Sequence, residues 1–299
     1  MKASSTLACL AATALPLALS GCFLFSSTRK LPVPRPPDTV KTATAEELVN
    51  RLDQRWDALN TLTATVEIRP TLLKPQEGMA TDYTSFRGHI LMQKPESLRV
   101  YVQVPVIGTA ALDMATDGKT FKVYIPLKNK VIEGNNDSTK KNSTNALENL
   151  RPGFFFESLM VRGLAPDDLY TVTAQVDTVE DAAKKHLYSV PEYILSIMRR
   201  KAGTQELTPL RVVTFHRDDL MPYQQDIYDD AGNLATQISY ERYVEFGEKL
   251  YPPKVTIKRP MEGIQLVMTV EKVTENMKLP DDQFVIKEIP PNTPVQKLD

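Results

Sequence analysis

Cysteine is almost missing from this chain of 299 residues: Cys9 and Cys22 are the whole supply, and both lie near the N-terminus. That excludes a disulfide framework for the rest of the chain, and with it a thiol nucleophile or a thiolate metal site. Histidine is nearly as scarce. His89, His186 and His216 lie far apart, and none sits in HExxH or a similar ligand spacing. A GxSxG elbow, a P-loop and a GxGxxG turn are also missing. Charge of one sign does not dominate: 36 Lys and Arg face 37 Asp and Glu, for a net charge of −1. With no basic run to grip phosphates, a nucleic-acid partner is disfavoured. Beyond Cys22 no apolar run is long enough to cross a bilayer. No catalytic residue, metal or cofactor is therefore nominated. Carboxylate pairs do occur, at Asp167-Asp168, Asp218-Asp219 and Asp229-Asp230. Their turn-like settings suit solvated turns better than acid–base work. The "DDAGN" around the last pair lacks the alternating ligands of a calcium loop. His216 follows an alternating run and reads as a strand end.

What is present begins with a leader. Lys2 precedes an apolar run from Leu7 to Leu19, which is shorter than the roughly 20 residues of a membrane span and fits a secretory signal. The run ends Leu19-Ser20-Gly21-Cys22, which resembles the lipobox of bacterial lipoproteins. The resemblance implies a signal over residues 1–21, with Cys22 as the first mature residue and the carrier of acyl chains. An ordinary signal cleaved nearby, with Cys22 incidental, is the alternative. A lone mature cysteine suits an anchor, because it has no partner for an internal bridge, and several acyl chains on one residue hold firmly. Phe23 stands where many inner-membrane lipoproteins carry Asp. By that sorting rule the protein is expected on the periplasmic face of the outer membrane. Pro32, Pro34, Pro36 and Pro37 follow, so residues 22–43 read as an extended tether.

The remaining span, 44–299, is long enough for one sizeable core and reads as a single domain. Thr44 and Glu47 form a capping box before Leu48, Leu52, Trp56 and Leu59, which recur at helical spacing. From Thr63 onward most segments alternate. In "SLRVYVQV", Leu98, Val100 and Val102 share one face and Arg99 and Tyr101 the other. Leu112 and Met114 precede the Asp117-Gly118 hairpin, after which Phe121 and Val123 point to the apolar side. Ile264, Leu266 and Met268 share a face near the C-terminus, with Val267 opposite. "TNALENL" and "PGFFFESLMVRGL" read as short helices after a polar loop over 134–145. The expected fold class is mainly β with α: about ten or eleven antiparallel strands, ending with "DQFVI", in a sheet that curls because it is long. Few helices are available as a lid over its apolar concave face. A half-open barrel with an apolar cavity is the expected product. The candidate cavity residues are Leu98, Val100, Val102, Leu112, Met114, Phe121, Val123, Ile264, Leu266 and Met268. Each could equally be plain core.

The run "FRGHILMQKPESLRVYVQVPVIGTAALDMATDGKTFKVYIPLKNK" (86–130) resembles the LolA/LolB family of bacterial lipoprotein-sorting factors. The shared order is a strand with Gly, a Pro turn, an aliphatic strand with Arg, a Pro–apolar–Gly turn and an Asp-Gly hairpin. The closing "PPKVTIKRPMEGIQLVMTVEKVTENMKLPDDQFVIKEIPP" is similar too, while the likeness is weak between 140 and 210. The resemblance implies a half-barrel that binds the acyl chains of lipoproteins. With the lipobox it points to a LolB-like acceptor supplied by a periplasmic carrier protein. It also implies that the turn Pro105-Val106-Ile107-Gly108 touches the membrane. Read alone, two branched hydrocarbons on a hairpin tip fit equally well a loop folded onto its own core. The middle region is longer than in the family, so a related amphiphile is also an expected client. A half-barrel filled by its own side chains, serving as an envelope scaffold, is the competing reading.

Overall fold

The computed structural model describes residues 35–136, 146–181 and 186–298. The signal, Cys22 and the first part of the tether lie outside the described residues, as does most of the polar loop. The chain divides into two compact units. The smaller joins the segment ending at Pro36 to Thr178–Ser189. There Arg35 makes a parallel bridge with Tyr188: its N–H donates to Leu187 O, and its carbonyl accepts from Ser189 N, both at 2.8 Å.

The larger unit holds the two α-helices of the described residues, α1 (Ala45–Ala58) and α2 (Pro152–Leu159). The predicted capping box is formed. Thr44 Oγ1 accepts from Glu47 N at 3.2 Å, and Glu47 Oε2 accepts from Thr44 N at 2.7 Å. The strands are β1 (Thr61–Lys74), β2 (Met79–Asp82), β3 (Phe86–Gln93), β4 (Ser97–Gln103), β5 (Ala110–Thr116), β6 (Thr120–Ile125), β7 (Lys130–Asn135), β8 (Leu169–Asp181), β9 (His186–Arg200), β10 (Leu207–His216), β11 (Pro222–Tyr228), β12 (Leu234–Tyr240), β13 (Val244–Phe246), β14 (Lys249–Tyr251), β15 (Lys254–Arg259), β16 (Ile264–Glu275) and β17 (Val295–Lys297). The far ends of β8 and β9 belong to the smaller unit.

Fifteen strands make one open sheet that runs β17-β7-β6-β5-β4-β3-β1-β16-β15-β12-β11-β10-β9-β8, with β2 paired to β1 off this path. β13 and β14 form a separate ribbon. Two expectations need correction. The described strands number 17, not ten or eleven. The added ones are mostly three or four residues long and pair through their backbones, so they carry no side-chain periodicity. The sheet also has a parallel pair: β17 lies alongside β7, with Gln296 opposite Ile132. "DQFVI" is not a strand. Asp281–Phe284 forms a 3₁₀ turn, and Ile286 joins Ala115, Tyr124 and Val131 in a small cluster on the outer face of β5–β7.

The sheet curls around α2. That helix touches β4, β5 and β15. Its last carbonyls accept from Gln225 Nε2 on β11 (Glu157 O, 3.1 Å) and Tyr251 Oη on β14 (Leu159 O, 2.9 Å). In a flat sheet β5 and β11 would lie seven strand spacings apart, about 34 Å. An eight-residue helix is only about 12 Å long. One short helix can meet both strands only if the sheet bends around it. Phe154, Phe155 and Phe156 are all buried in the resulting core, against Val100, Met114, Leu266 and Met268. The aromatic run is therefore core rather than a surface cluster. α1 covers a second core, in which Leu48 and Leu52 pack on Leu195, Ile197, Val213 and Phe215 of β9 and β10.

Candidate functional site

α2 and Leu150 do not cover the whole concave face. Near the ends of β4 and β5 an apolar cavity of about 430 Å³ is left. The β4–β5 register sets Val102 opposite Leu112, and both line it. Central strands supply Ile68 and Leu266, and α2 presents Phe155. Tyr83 and Leu127, both exposed, stand at its margin. The volume falls in the range of about 300–1,000 Å³ typical of small-molecule sites.

One polar group closes part of this rim. Glu148 is buried and accepts from Lys128 Nζ and Lys130 Nζ, each at 2.7 Å. Burial works to raise its pKa, but the two lysine hydrogen bonds and charges outweigh that and hold the carboxyl below the usual carboxylate range. The cavity thus has hydrocarbon walls and a fixed cationic edge.

Of the sequence candidates, Val102, Leu112 and Leu266 line this space. Leu98, Val100, Met114, Phe121, Val123, Ile264 and Met268 are buried in the packed core beside it. Sequence reasoning missed Ile68, Phe155 and the Lys128–Glu148–Lys130 group. Ile68 alternates like its neighbours, so it carried a signal. The ion-pair group had none, because its members are separated by the polar loop.

The hairpin tip between β4 and β5 rises from the same cavity strands. Its backbone is tightly closed: Gly108 N donates to Val104 O at 3.0 Å, and Ile107 N to Pro105 O at 2.7 Å. The second bond spans three residues, a γ-turn with Val106 at its centre at φ +67°. Positive φ in a β-branched residue costs about 1–3 kcal/mol. Among the described residues nothing compensates by packing, because Val106 is 107% and Ile107 71% exposed. The loop does not fold onto its own core.

Among the described residues no group of three or more His, Cys, Asp or Glu could hold a metal. His216 ends β10 and stacks on Tyr223 at 3.6 Å between ring centroids. The carboxylate pairs serve turns. Asp168 accepts from Ala165 N and Arg199, Asp219 from Met221 N and Tyr223 Oη, and Asp229 from Ala231 N and Asn233 N. Among the described residues no helix is long and apolar enough to cross a membrane.

No family model matches the chain, and no curated protein matches it. Solved structures do. A LolA superfamily protein from Nitrosomonas europaea aligns at TM-score 0.50 and 15% identity, over 82% of this chain and 99% of that one. A DUF1329 family protein from Desulfovibrio piger aligns at TM-score 0.50 and 16% identity, over 81% of this chain and 95% of that one. A large open sheet curled over few helices, aligned over nearly the full length of these relatives, is a LolA-like fold.

Proposed function

We propose that the chain is a binding module that takes acyl chains of a lipoprotein, or of a related amphiphile, into the apolar cavity between β4, β5 and α2. The observation that carries this is the cavity itself: about 430 Å³ of hydrocarbon-lined space beside the buried Leu98, Val100, Met114 and Met268. Empty apolar space forfeits contacts that a hydrocarbon guest would restore. Each buried methylene contributes about 0.8 kcal/mol. No covalent step is involved. Transfer follows the difference in affinity between donor and acceptor cavities.

The lipobox-like Leu19-Ser20-Gly21-Cys22 supports anchoring through Cys22 at the periplasmic face of the outer membrane. The strained, exposed Val106-Ile107 tip supports a second contact with that bilayer. Burying the pair would contribute roughly 3 kcal/mol. Together these favour a LolB-like acceptor, loaded by a periplasmic carrier protein, in a single domain over 44–299. The test is binding of a fluorescent fatty acid by the purified protein, with organic extraction for co-purified lipid. Saturable binding is expected. Failure of both would favour the filled scaffold.

A further inference from the structure

A second cavity lies on the other side of α2, and charged and amide groups share its walls with Met160, Leu210 and Ile227. It encloses about 320 Å³, room for about ten water molecules. Its wall includes Glu157 from α2, Arg162 from the segment after it, Arg199 from β9, Arg211 from β10 and Gln225 from β11.

Several of these groups lack partners. Gln225 is 1% exposed. Its Nε2 donates to Glu157 O, which fixes the amide orientation, and its Oε1 has no hydrogen-bond partner among the described residues. Arg162 Nε is likewise buried without a partner. The Arg211 guanidinium donates to the Gly163 carbonyl and forms no ion pair among the described residues. The Glu157 carboxylate, also without an ion pair or hydrogen bond among the described residues, lies near Arg211 and Arg162. Glu157 sits in the last turn of α2, where the helix dipole also disfavours negative charge. Burial pushes its carboxyl above the usual carboxylate range. Asp168 and Arg199 pair at 2.7 Å, and the Arg162 guanidinium is held by Glu96 through Nη2 at 3.3 Å, which leaves its Nε as the unmatched donor.

The open valences are of two kinds. Gln225 Oε1 and the Glu157 carboxylate are acceptors that need a donor. Arg211 and Arg162 Nε are donors that need an acceptor. A buried polar atom left unsatisfied costs about 1–3 kcal/mol. A simple anion would answer only the arginines, and would meet the Glu157 charge. A simple ammonium would answer only the acceptors. We propose that this cavity binds a small zwitterionic group, its ammonium held by Glu157 and Gln225 and its phosphate or carboxylate by Arg211 and Arg162. The site is separate from the apolar cavity, and its existence does not depend on acyl-chain binding.

Phosphoethanolamine serves as the free probe, and vesicles of phosphatidylethanolamine in phosphatidylglycerol as the lipid-borne one. Calorimetric titration of the purified protein should show saturable phosphoethanolamine binding. Inorganic phosphate and ethanolamine alone should each bind at least 10-fold more weakly. Arg211→Gln and Glu157→Gln should each weaken binding at least 10-fold. Because a variant could fold poorly, side-chain resonances are followed in the wild type as well. The Arg211 Nε–Hε and Gln225 amide signals should shift, and that of exposed Arg87 should not. Binding of the free probe assigns a small-molecule ligand; the same dependence with vesicles alone assigns a lipid head group. No binding of either probe overturns the proposal, as does phosphate binding as tightly as phosphoethanolamine.

Discussion

Leu112 and Met114 sit two residues apart on β5 and point to the same side, yet one lines the apolar cavity and the other is fully buried in core. Enlarging each to Trp separates the two environments. Met114→Trp forces extra volume into a close-packed core, which costs about 1–3 kcal/mol or more. In a protein of this size that lowers Tm by about 3–10 °C. Leu112→Trp grows into empty space, so its stability should stay within about 1 kcal/mol of wild type. The same change removes room for about two methylenes of a guest. At about 0.8 kcal/mol each the loss is about 1.6 kcal/mol, or roughly 15-fold in affinity. Thermal unfolding reads the first effect and titration with a fluorescent fatty acid the second. If Leu112→Trp destabilises as much as Met114→Trp, the space is not there. If it is well tolerated but binding is unchanged, the guest lies elsewhere.

Ile107→Glu should leave Tm unchanged, because the side chain is already in solvent, and should reduce co-sedimentation with liposomes; equal sedimentation would remove the membrane-contact reading. Glu148→Gln should cost about 1–3 kcal/mol at neutral pH, since two charge-assisted hydrogen bonds to a buried carboxylate are weakened. The folded pKa is depressed, so this stabilisation is present above the unfolded value near 4.3 and fades as pH falls through the folded one. Wild-type and variant urea midpoints should therefore converge in acid, and a gap that persists there would contradict the ion-pair account. Gly263→Ala should cost at least about 2 kcal/mol by chemical denaturation, because Gly263 lies at φ +63° and a Cβ would collide with the Leu73 carbonyl oxygen. A neutral effect would mean that this turn is not held against β1.

Much of the fold was readable because its signals are local. Thr44 and Glu47 announce the start of α1, and Asp117-Gly118 announces a hairpin, with Gly118 at φ +93° and Asp117 Oδ1 accepting from Lys119 N and Thr120 N. Alternation in β4 placed Leu98 and Val100 inward and Arg99 outward, where it forms paired hydrogen bonds with Asp113. The cavity was legible only as an expectation that some inward face stays uncovered. Which part stays uncovered depends on where an eight-residue helix ends and which strands its last carbonyls reach, and no local pattern encodes that. β17 escaped notice because its partner is chosen by backbone pairing with β7. The polar cavity escaped for a similar reason: Glu157, Arg211 and Gln225 meet only after the sheet has curled.

The central claim is that hydrocarbon enters the space between Val102, Leu112 and Leu266. Titration of methyl-labelled protein with palmitate, read by NMR, tests it directly. The account predicts saturable shifts at the methyls of Ile68, Val102, Leu112 and Leu266, with Leu195, Ile197 and Val213 beneath α1 unmoved. Shifts confined to that second core, or none at any methyl, would contradict it.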